Sequence, residues 1–217
     1  MPRPSTPVLS RKAVVSAALR IIDADGLAAC SMPRLAREFG VRTPSLYHHF
    51  DDRADLMAEV ARMIVRETPV PRRRRPEDWI EWFVAVAVNF RRQVLRHPNA
   101  APILLEFMPR EILSARFDDA ARFLTEVGVP TEAHVVILDG LEVLSLGAGL
   151  TQAMKNPAHR SKVFPAVHRE AEPALAAAVA ANRLRTAETL FAEVVRSFLI
   201  GAIRSAERAG TLTGVTS

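Results

Sequence analysis

Within twenty residues, Ser31-Met-Pro-Arg-Leu-Ala-Arg-Glu-Phe-Gly-Val-Arg-Thr-Pro-Ser-Leu-Tyr-His-His-Phe50, the chain packs a short helix, a glycine turn and a second short helix. Few folds accommodate two helices crossing so soon after one another, and the layout is that of a helix-turn-helix that reads DNA. Leu35, Phe39 and Val41 supply apolar contacts before and at the turn, Leu46 and Phe50 supply them after it, and Ala36 is small enough for close crossing. Gly40 stands where the chain must reverse, a place that calls for φ > 0.

The rest of the chain reads as helical too. Apolar residues recur with the 3.6-residue period, and no stretch alternates polar and apolar between turn signals, so the fold class is all-α. A first helix is expected from Ser10 as N-cap to a stop near Gly26, burying Val14, Ala17, Ala18, Ile21 and Ile22. Ser31 caps the second helix, with Pro33 in its first turn, and Thr43 and Pro44 repeat that N-cap and N1 arrangement for the third. A fourth helix starts at Asp51 or Asp52 and runs to about Val65, burying Leu56, Val60 and Ile64.

The segment Thr68-Pro-Val-Pro-Arg-Arg-Arg-Arg-Pro76 then breaks the pattern with three prolines and four arginines. It reads as a linker whose run Arg72 to Arg75 is solvated. Two domains follow: 1–66 as an N-terminal arm and helix-turn-helix, 67–76 as linker, and 77–217 as a helical body for ligand binding and dimerisation. Helices are expected there at Glu77 to His97, Ala101 to Phe107, Glu111 to Val127, Thr131 to Asn156, Val163 to Asn182 and Thr186 to Ala209, with a frayed tail from Gly210.

Composition sets outer bounds. Hydrophobic residues make up 49% and charged residues 24%, too apolar a mixture for a disordered chain. The net charge of +5 and isoelectric point near 10.3 suit a polyanionic partner without proving one. A single cysteine, Cys30, excludes an internal disulfide and reads as a small buried hydrophobe. No apolar run is taken to reach the ~20 residues of a membrane span, and the start, Met1 to Pro7, lacks the apolar stretch of a signal peptide, so no membrane contact and a cytoplasmic location are expected.

From Ser10 to Val65 the chain resembles the DNA-binding domain of the tetracycline-repressor (TetR) family, through Leu35-Ala36, Phe39-Gly40-Val41, Pro44-Ser-Leu-Tyr-His-His-Phe50, Arg53 and Leu56. The resemblance implies that Tyr47 and Arg53 contact phosphates and that exposed residues of the third helix read bases. Trp79, Phe90, His97 and Phe107-Met108-Pro109 resemble the effector domain of the tetracycline repressors themselves. Aligned that way, Val86 and Leu104 occupy positions where those repressors carry an asparagine and a histidine that hold tetracycline and its magnesium. The expected ligand is therefore small and mainly apolar, not a magnesium–tetracycline chelate.

Residue chemistry suggests the individual roles. Arg42 offers a guanidinium fork to guanine or phosphate, Thr43 and Ser45 bond base edges or phosphates, and Pro44 touches a thymine methyl. His48 and His49 donate to phosphate or bases; adjacent on a helix, they diverge by about 100° and make a poor zinc pair. Ser31 joins this DNA-facing set, and Tyr47 either contacts phosphate through its hydroxyl or packs beneath the helix.

One short recognition helix reads only a few base pairs, so a homodimer on two half-sites of a palindromic operator is expected. Gly140, Val143, Gly147 and Leu150 form one seam for it and Phe191, Val194, Phe198 and Gly201 another, a pairing that the family resemblance favours over packing inside one subunit. Phe83, Val86, Phe90, Leu104, Phe107, Met108, Phe117 and Phe123 either line an apolar pocket, with His134 or Asn89 as its polar group, or simply fill the core.

An enzyme is the alternative from another class. The chain has no glycine-rich phosphate loop, no Gly-x-Ser-x-Gly and no His-Glu-x-x-His, so neither catalysis, a cofactor nor a metal is expected. The other alternative keeps the fold but replaces the small ligand by a protein partner or an architectural role.

Overall fold

The computed structural model of the chain describes residues 9–73, 75–160, 164 and 166–213, with side chains through Arg208 in the last helix. The N-terminal arm ahead of residue 9, Arg74 of the arginine run, Val163 and the last four residues of the tail lie outside the described residues. Among the described residues there are ten α-helices and no strand.

The residues pack as two units. The first holds the described part of Met1–Thr68 together with Gln93–Ala115; the second holds the described part of Pro69–Arg92 and Arg116–Ser217. Two helices, α5 (Trp79–Arg96) and α7 (Arg110–Glu126), therefore run through both units.

In the first unit, α1 (Arg11–Asp25) begins where Ser10 Oγ accepts from Ala13 N at 3.2 Å and ends at Gly26. The cap is worth about 1 kcal/mol. Val14, Ala17, Ala18, Ile21 and Ile22 are buried as the periodicity requires. α2 (Met32–Glu38) is capped by Ser31 in the same way, and α4 (Arg53–Arg66) by Asp52, whose carboxylate accepts from Asp55 N at 2.8 Å.

The third helix departs from expectation by one residue. α3 spans Thr43–Tyr47 with Arg42 at the N-cap position, Pro44 in its second place, and no side chain capping it. Thr43 is thus the first helical residue, and its hydroxyl does not cap the helix. Arg42 takes the cap position through its extended backbone alone.

The later part of this unit ties back to α1. His97 Nδ1 lies 2.7 Å from Asp23 Oδ2, and Asn99 Nδ2 donates to the Asp23 carbonyl at 3.0 Å. The single-turn helix α6 (Ile103–Glu106) packs against α4, with Ile103 and Leu104 fully buried.

The second unit is built on the rest of α5 and α7, on α8 (Thr131–Ala153), α9 (Pro173–Ala181) and α10 (Ala187–Thr213). Its core joins Phe83, Val84, Ala87 and Val88 of α5 to Ala120, Phe123 and Leu124 of α7, Ile137 and Leu141 of α8, and Phe191, Val195 and Leu199 of α10. Trp82 and Phe83 meet edge to face at 4.8 Å, and Trp82 and Phe123 at 5.2 Å. Such pairs add roughly 0.5–1.5 kcal/mol each beyond area burial.

Three expectations change in this unit. α9 starts at Pro173, whereas the expected helix began at Val163, which lies outside the described residues; residues 166–172 are turn and coil, and Pro173 is tolerated because it enters the first turn, where its missing N–H costs nothing. The last helix runs on through Thr213, past the expected fraying point at Gly210. And α8 is long and apolar enough, by length and composition, to cross a membrane. Asp139 and Glu142 interrupt it midway while Ile137 and Leu141 face the core, so one face of α8 is packed on the unit and the other, with Val136 and Val143, is exposed.

Candidate nucleic-acid interface

The turn between α2 and α3 is set by Gly40 at φ 65°, where Val41 N reaches back to Ala36 O at 3.0 Å. A side chain at that φ is strained, which is why glycine stands there. Leu35, Ala36, Phe39, Leu46 and Phe50 are all buried and hold the two helices together. With that face committed, the geometry leaves Arg42, Pro44, Tyr47 and His48 exposed and Thr43, Ser45 and His49 half-buried.

Tyr47 is 51% exposed, with about half of its surface reaching solvent. Among the described residues neither Arg42 nor the exposed Arg37 of α2 has an ionic partner. These are cations available to a polyanion. Charges nearby are otherwise neutralised internally, as where Arg20 pairs with Glu38 at 2.6 Å and Arg34 with Asp25.

Arg53 is placed differently from a free phosphate contact. Its Nε donates to Cys30 O and one terminal nitrogen to Leu27 O, both at 3.3 Å, so the guanidinium clips the loop between α1 and α2. Ser31 likewise spends its hydroxyl on the cap of α2, accepting from Arg34 N at 3.4 Å. Burial pushes the Cys30 thiol up, against the lowering influence of Arg53 and Arg34, so it stays protonated.

Sequence reasoning missed Arg11. Its guanidinium donates to the His49 carbonyl, pairs with Asp55 at 2.6 Å and Glu59 at 3.1 Å, and lies 4.6 Å above the Phe50 ring. One side chain of α1 thereby fixes the residues that end α3. Burial pushes the Asp55 carboxyl up, but the Arg11 hydrogen bond and the Asp51 backbone N–H outweigh it and hold the carboxyl below its usual range. From Glu59 the ionic chain continues to Arg62 at 3.0 Å and on to Glu111 of α7 at 2.8 Å. Apart from the local Glu59–Arg62 pair, these partners lie 38 to 49 residues apart, beyond the reach of any local pattern.

The expected pocket residues divide between the two units. Leu104, fully buried, and the half-buried Phe107 and Met108 belong to the first; Phe83, Val86, Phe90, Phe117, Phe123 and His134 belong to the second. Phe83 and Phe123 are core residues, whereas Val86, Phe90 and Phe117 are half-buried. His134 is buried with Nε2 3.0 Å from Val129 O, a bond that closes the α7–α8 connection, and Asn89 donates to Pro69 O at 3.1 Å.

The linker is a docked strap in its first half. Trp82 Nε1 donates to Pro71 O at 2.8 Å, and Arg73 lies 4.4 Å above Phe123 while pairing with Asp119 at 2.7 Å. Arg73 therefore corrects the reading of Arg72 to Arg75 as a uniformly solvated run.

The two expected seams are also divided. Phe191 and Leu150 are buried inside the subunit, and the Phe198 ring covers Gly140 of the same chain. Val143 is 62% and Val194 51% exposed, and nothing comes near Gly147 or Gly201. Val136, on the same stripe of α8, is 54% exposed.

Residues 14–60 match the family of bacterial regulatory proteins, tetR family. The chain is 27% identical over 198 residues to the class E tetracycline repressor of Escherichia coli, covering 89% of this chain and 90% of that protein. Among solved structures it is similar to apo ActR of Streptomyces coelicolor, with a TM-score of 0.72 at 24% identity over 93% of this chain and 98% of the other. It is also similar to ActR in complex with actinorhodin, with a TM-score of 0.71 at 25% identity over 91% and 98%.

Proposed function

We propose that the chain is a regulator of the TetR family, which its N-terminal domain matches, and that it is a homodimeric repressor that binds a palindromic operator and is released by a small, mainly apolar ligand. Proteins of this family bind DNA and are not enzymes. The observation that carries the reading is the α3 surface: a helix locked by Leu46, Phe50 and Arg11 presents Arg42, Pro44, Tyr47 and His48 outward with no internal partner for Arg42.

In this reading Arg42, Thr43, Pro44, Ser45, Tyr47, His48 and His49 face the DNA, and Ser31 and Arg53 shape the interface from behind. The exposed stripe of Val136, Val143 and Gly147 with Val194 and Gly201 meets the same stripe of a second copy, setting two α3 helices about one helical turn of DNA apart. Val86, Phe90 and Phe117 face the ligand. A cytoplasmic location follows from the DNA target. Ligand control requires a different affinity for the two spacings of the dimer, about 2.7 kcal/mol for a hundredfold loss of operator affinity.

Selection of duplexes from a random DNA library by the purified chain at roughly 150 mM salt tests it, because weak non-specific binding is suppressed there. An enriched palindrome is the expected result. Salt-sensitive binding without any enriched sequence overturns the operator-specific reading in favour of an architectural one.

A further inference from the structure

The outer faces of α8 and α10 carry charge as well as apolar surface. On α8, steps of three and four residues join Glu132, Val136, Asp139, Val143 and Gly147, all of them exposed. On α10 the same steps join Val194, Ser197, Gly201, Arg204 and Arg208, exposed as well. The charges are acidic on one stripe and basic on the other. Among the described residues Glu132, Asp139, Arg204 and Arg208 have no ionic partner, whereas beside the α10 stripe Glu193 pairs with Arg196 at 3.0 Å.

Both charged segments lie at one end of the helix pair. The Phe198 ring covers Gly140, and the Arg91 guanidinium bonds Gln152 of α8 while lying 3.5 Å from Glu188 of α10. Gln152 comes after Gly140 in the chain and Glu188 before Phe198, so the two helices are antiparallel. At 1.5 Å per residue, Glu132 stands about 12 Å from the Gly140–Phe198 level, between Arg204 at about 9 Å and Arg208 at about 15 Å on the same side. Asp139 stands about 8 Å along the axis from Arg204. That gap narrows because each side chain leans toward the N-terminus of its own helix, which here means toward the other.

A two-fold axis in the plane of such an interface runs either along the helices or across them. Running along them, it lays α8 of each copy over α10 of the other and keeps every residue at its own level. The acids of one stripe then come down on the arginines of the other, twice over. Running across, it lays α8 on α8 and α10 on α10, and no opposite charges of the two stripes meet. Complementary charge fixes register and rejects the wrong partner more than it adds raw affinity.

We infer that the surface takes a second copy of this chain docked along the helices, with Glu132 held between the partner subunit's Arg204 and the partner subunit's Arg208, and Asp139 reaching the partner subunit's Arg204. The ionic end sets the orientation of the two copies, and the apolar part of the stripes supplies the contact area. This rests on the homodimeric reading above and adds its register.

Two double variants of the full chain test it: Glu132→Arg with Asp139→Arg, and Arg204→Glu with Arg208→Glu. Self-association is followed by fluorescence-detected sedimentation, and folding by circular dichroism. Each double variant alone is expected to weaken the dimer by at least about tenfold, and an equimolar mixture of the two to form a heterodimer close to wild-type strength. In the arrangement across the helices, reversing one stripe merely exchanges one like-charged meeting for another and leaves the dimer unchanged. Should a reversed variant fail to fold, the neutral pair Glu132→Gln with Asp139→Asn takes its place, together with the wild type at roughly 50 and 500 mM salt. The neutral pair and the higher salt are each expected to weaken the dimer severalfold, and a dissociation constant indifferent to both overturns the register. Wild-type dimerisation by both reversed variants, or a mixture no tighter than its components, overturns the register and leaves the homodimer standing. A wild-type chain that stays monomeric at about 10 μM removes both.

Discussion

The Phe198 ring of α10 lies directly over Gly140 of α8, so close that a Cβ added to Gly140 would stand 2.8 Å from Cε2 and 2.9 Å from Cε1. Those distances are shorter than van der Waals contact allows, and the ring belongs to the half-buried shell packed on the core, so it must shift to admit a Cβ. Gly140→Ala is expected to destabilise the chain by about 1–3 kcal/mol despite alanine's higher helix propensity. Urea denaturation reads this, and Gly140→Ala in a Phe198→Leu background should recover much of the loss.

The outer stripe of the same helices should separate association from folding. Val143 and Val194 are exposed in the single chain and contribute little to its core. Replacing both by lysine is expected to yield a folded monomer by light scattering, with unchanged helical content, since two buried like charges would oppose a close helix interface. A dimer that survives the double substitution would mean that association uses another surface.

Arg42 and Arg53 should fail in different ways. Arg42→Ala is expected to leave the melting temperature unchanged and to weaken operator binding by about 1–3 kcal/mol. Arg53→Ala removes the clip on Leu27 and Cys30 and should lower the melting temperature along with DNA binding. Equal melting temperatures for the two variants would sink the assignment of Arg53 to the loop.

Within the arginine run, Arg73→Met and Arg72→Met make an internal comparison. Arg73 loses the Asp119 pair and its place over Phe123 and Trp82, and about 1–2 kcal/mol of stability is expected to go with them. Arg72 is exposed, and its replacement should stay within about 0.5 kcal/mol of the wild type.

Acid should weaken the second unit through two carboxylates. The Arg196 hydrogen bonds hold Glu81 below the usual carboxylate range, and the Arg92 bonds do the same for Glu188. A lowered native pKa means the folded chain binds fewer protons than the unfolded one, so the stabilisation is present above roughly pH 4.3 and is lost as pH falls through the depressed native values. Both groups are substantially exposed, and each pair is worth at most about 1 kcal/mol. Urea midpoints between pH 3 and 6 should fall with acid, and less steeply in Arg196→Met; equal slopes would remove Glu81 from this account.

Much of the first unit was legible because its signals are local. Ser10, Ser31 and Asp52 cap helices three residues away, and Gly40 turns the chain where its own φ demands it. The α3 boundary slipped by one residue because an extended backbone at Arg42, with no side-chain bond, opened the helix. In the second unit the residues at helical spacing were visible, but their destinations were not: Phe191 and Leu150 went to the core, while Val143 and Val194 stayed outside.

The sequence by itself determined the all-helical class, the capped starts and the position of the helix-turn-helix, since each depends on residues within one or two turns of one another. Only the tertiary structure decided that Arg11 pins the end of α3, that Arg73 straps the linker and that Phe198 occupies Gly140. A guanidinium or a ring has the same helical pattern whichever neighbour it meets, and which neighbour it meets is set by how distant helices are brought together.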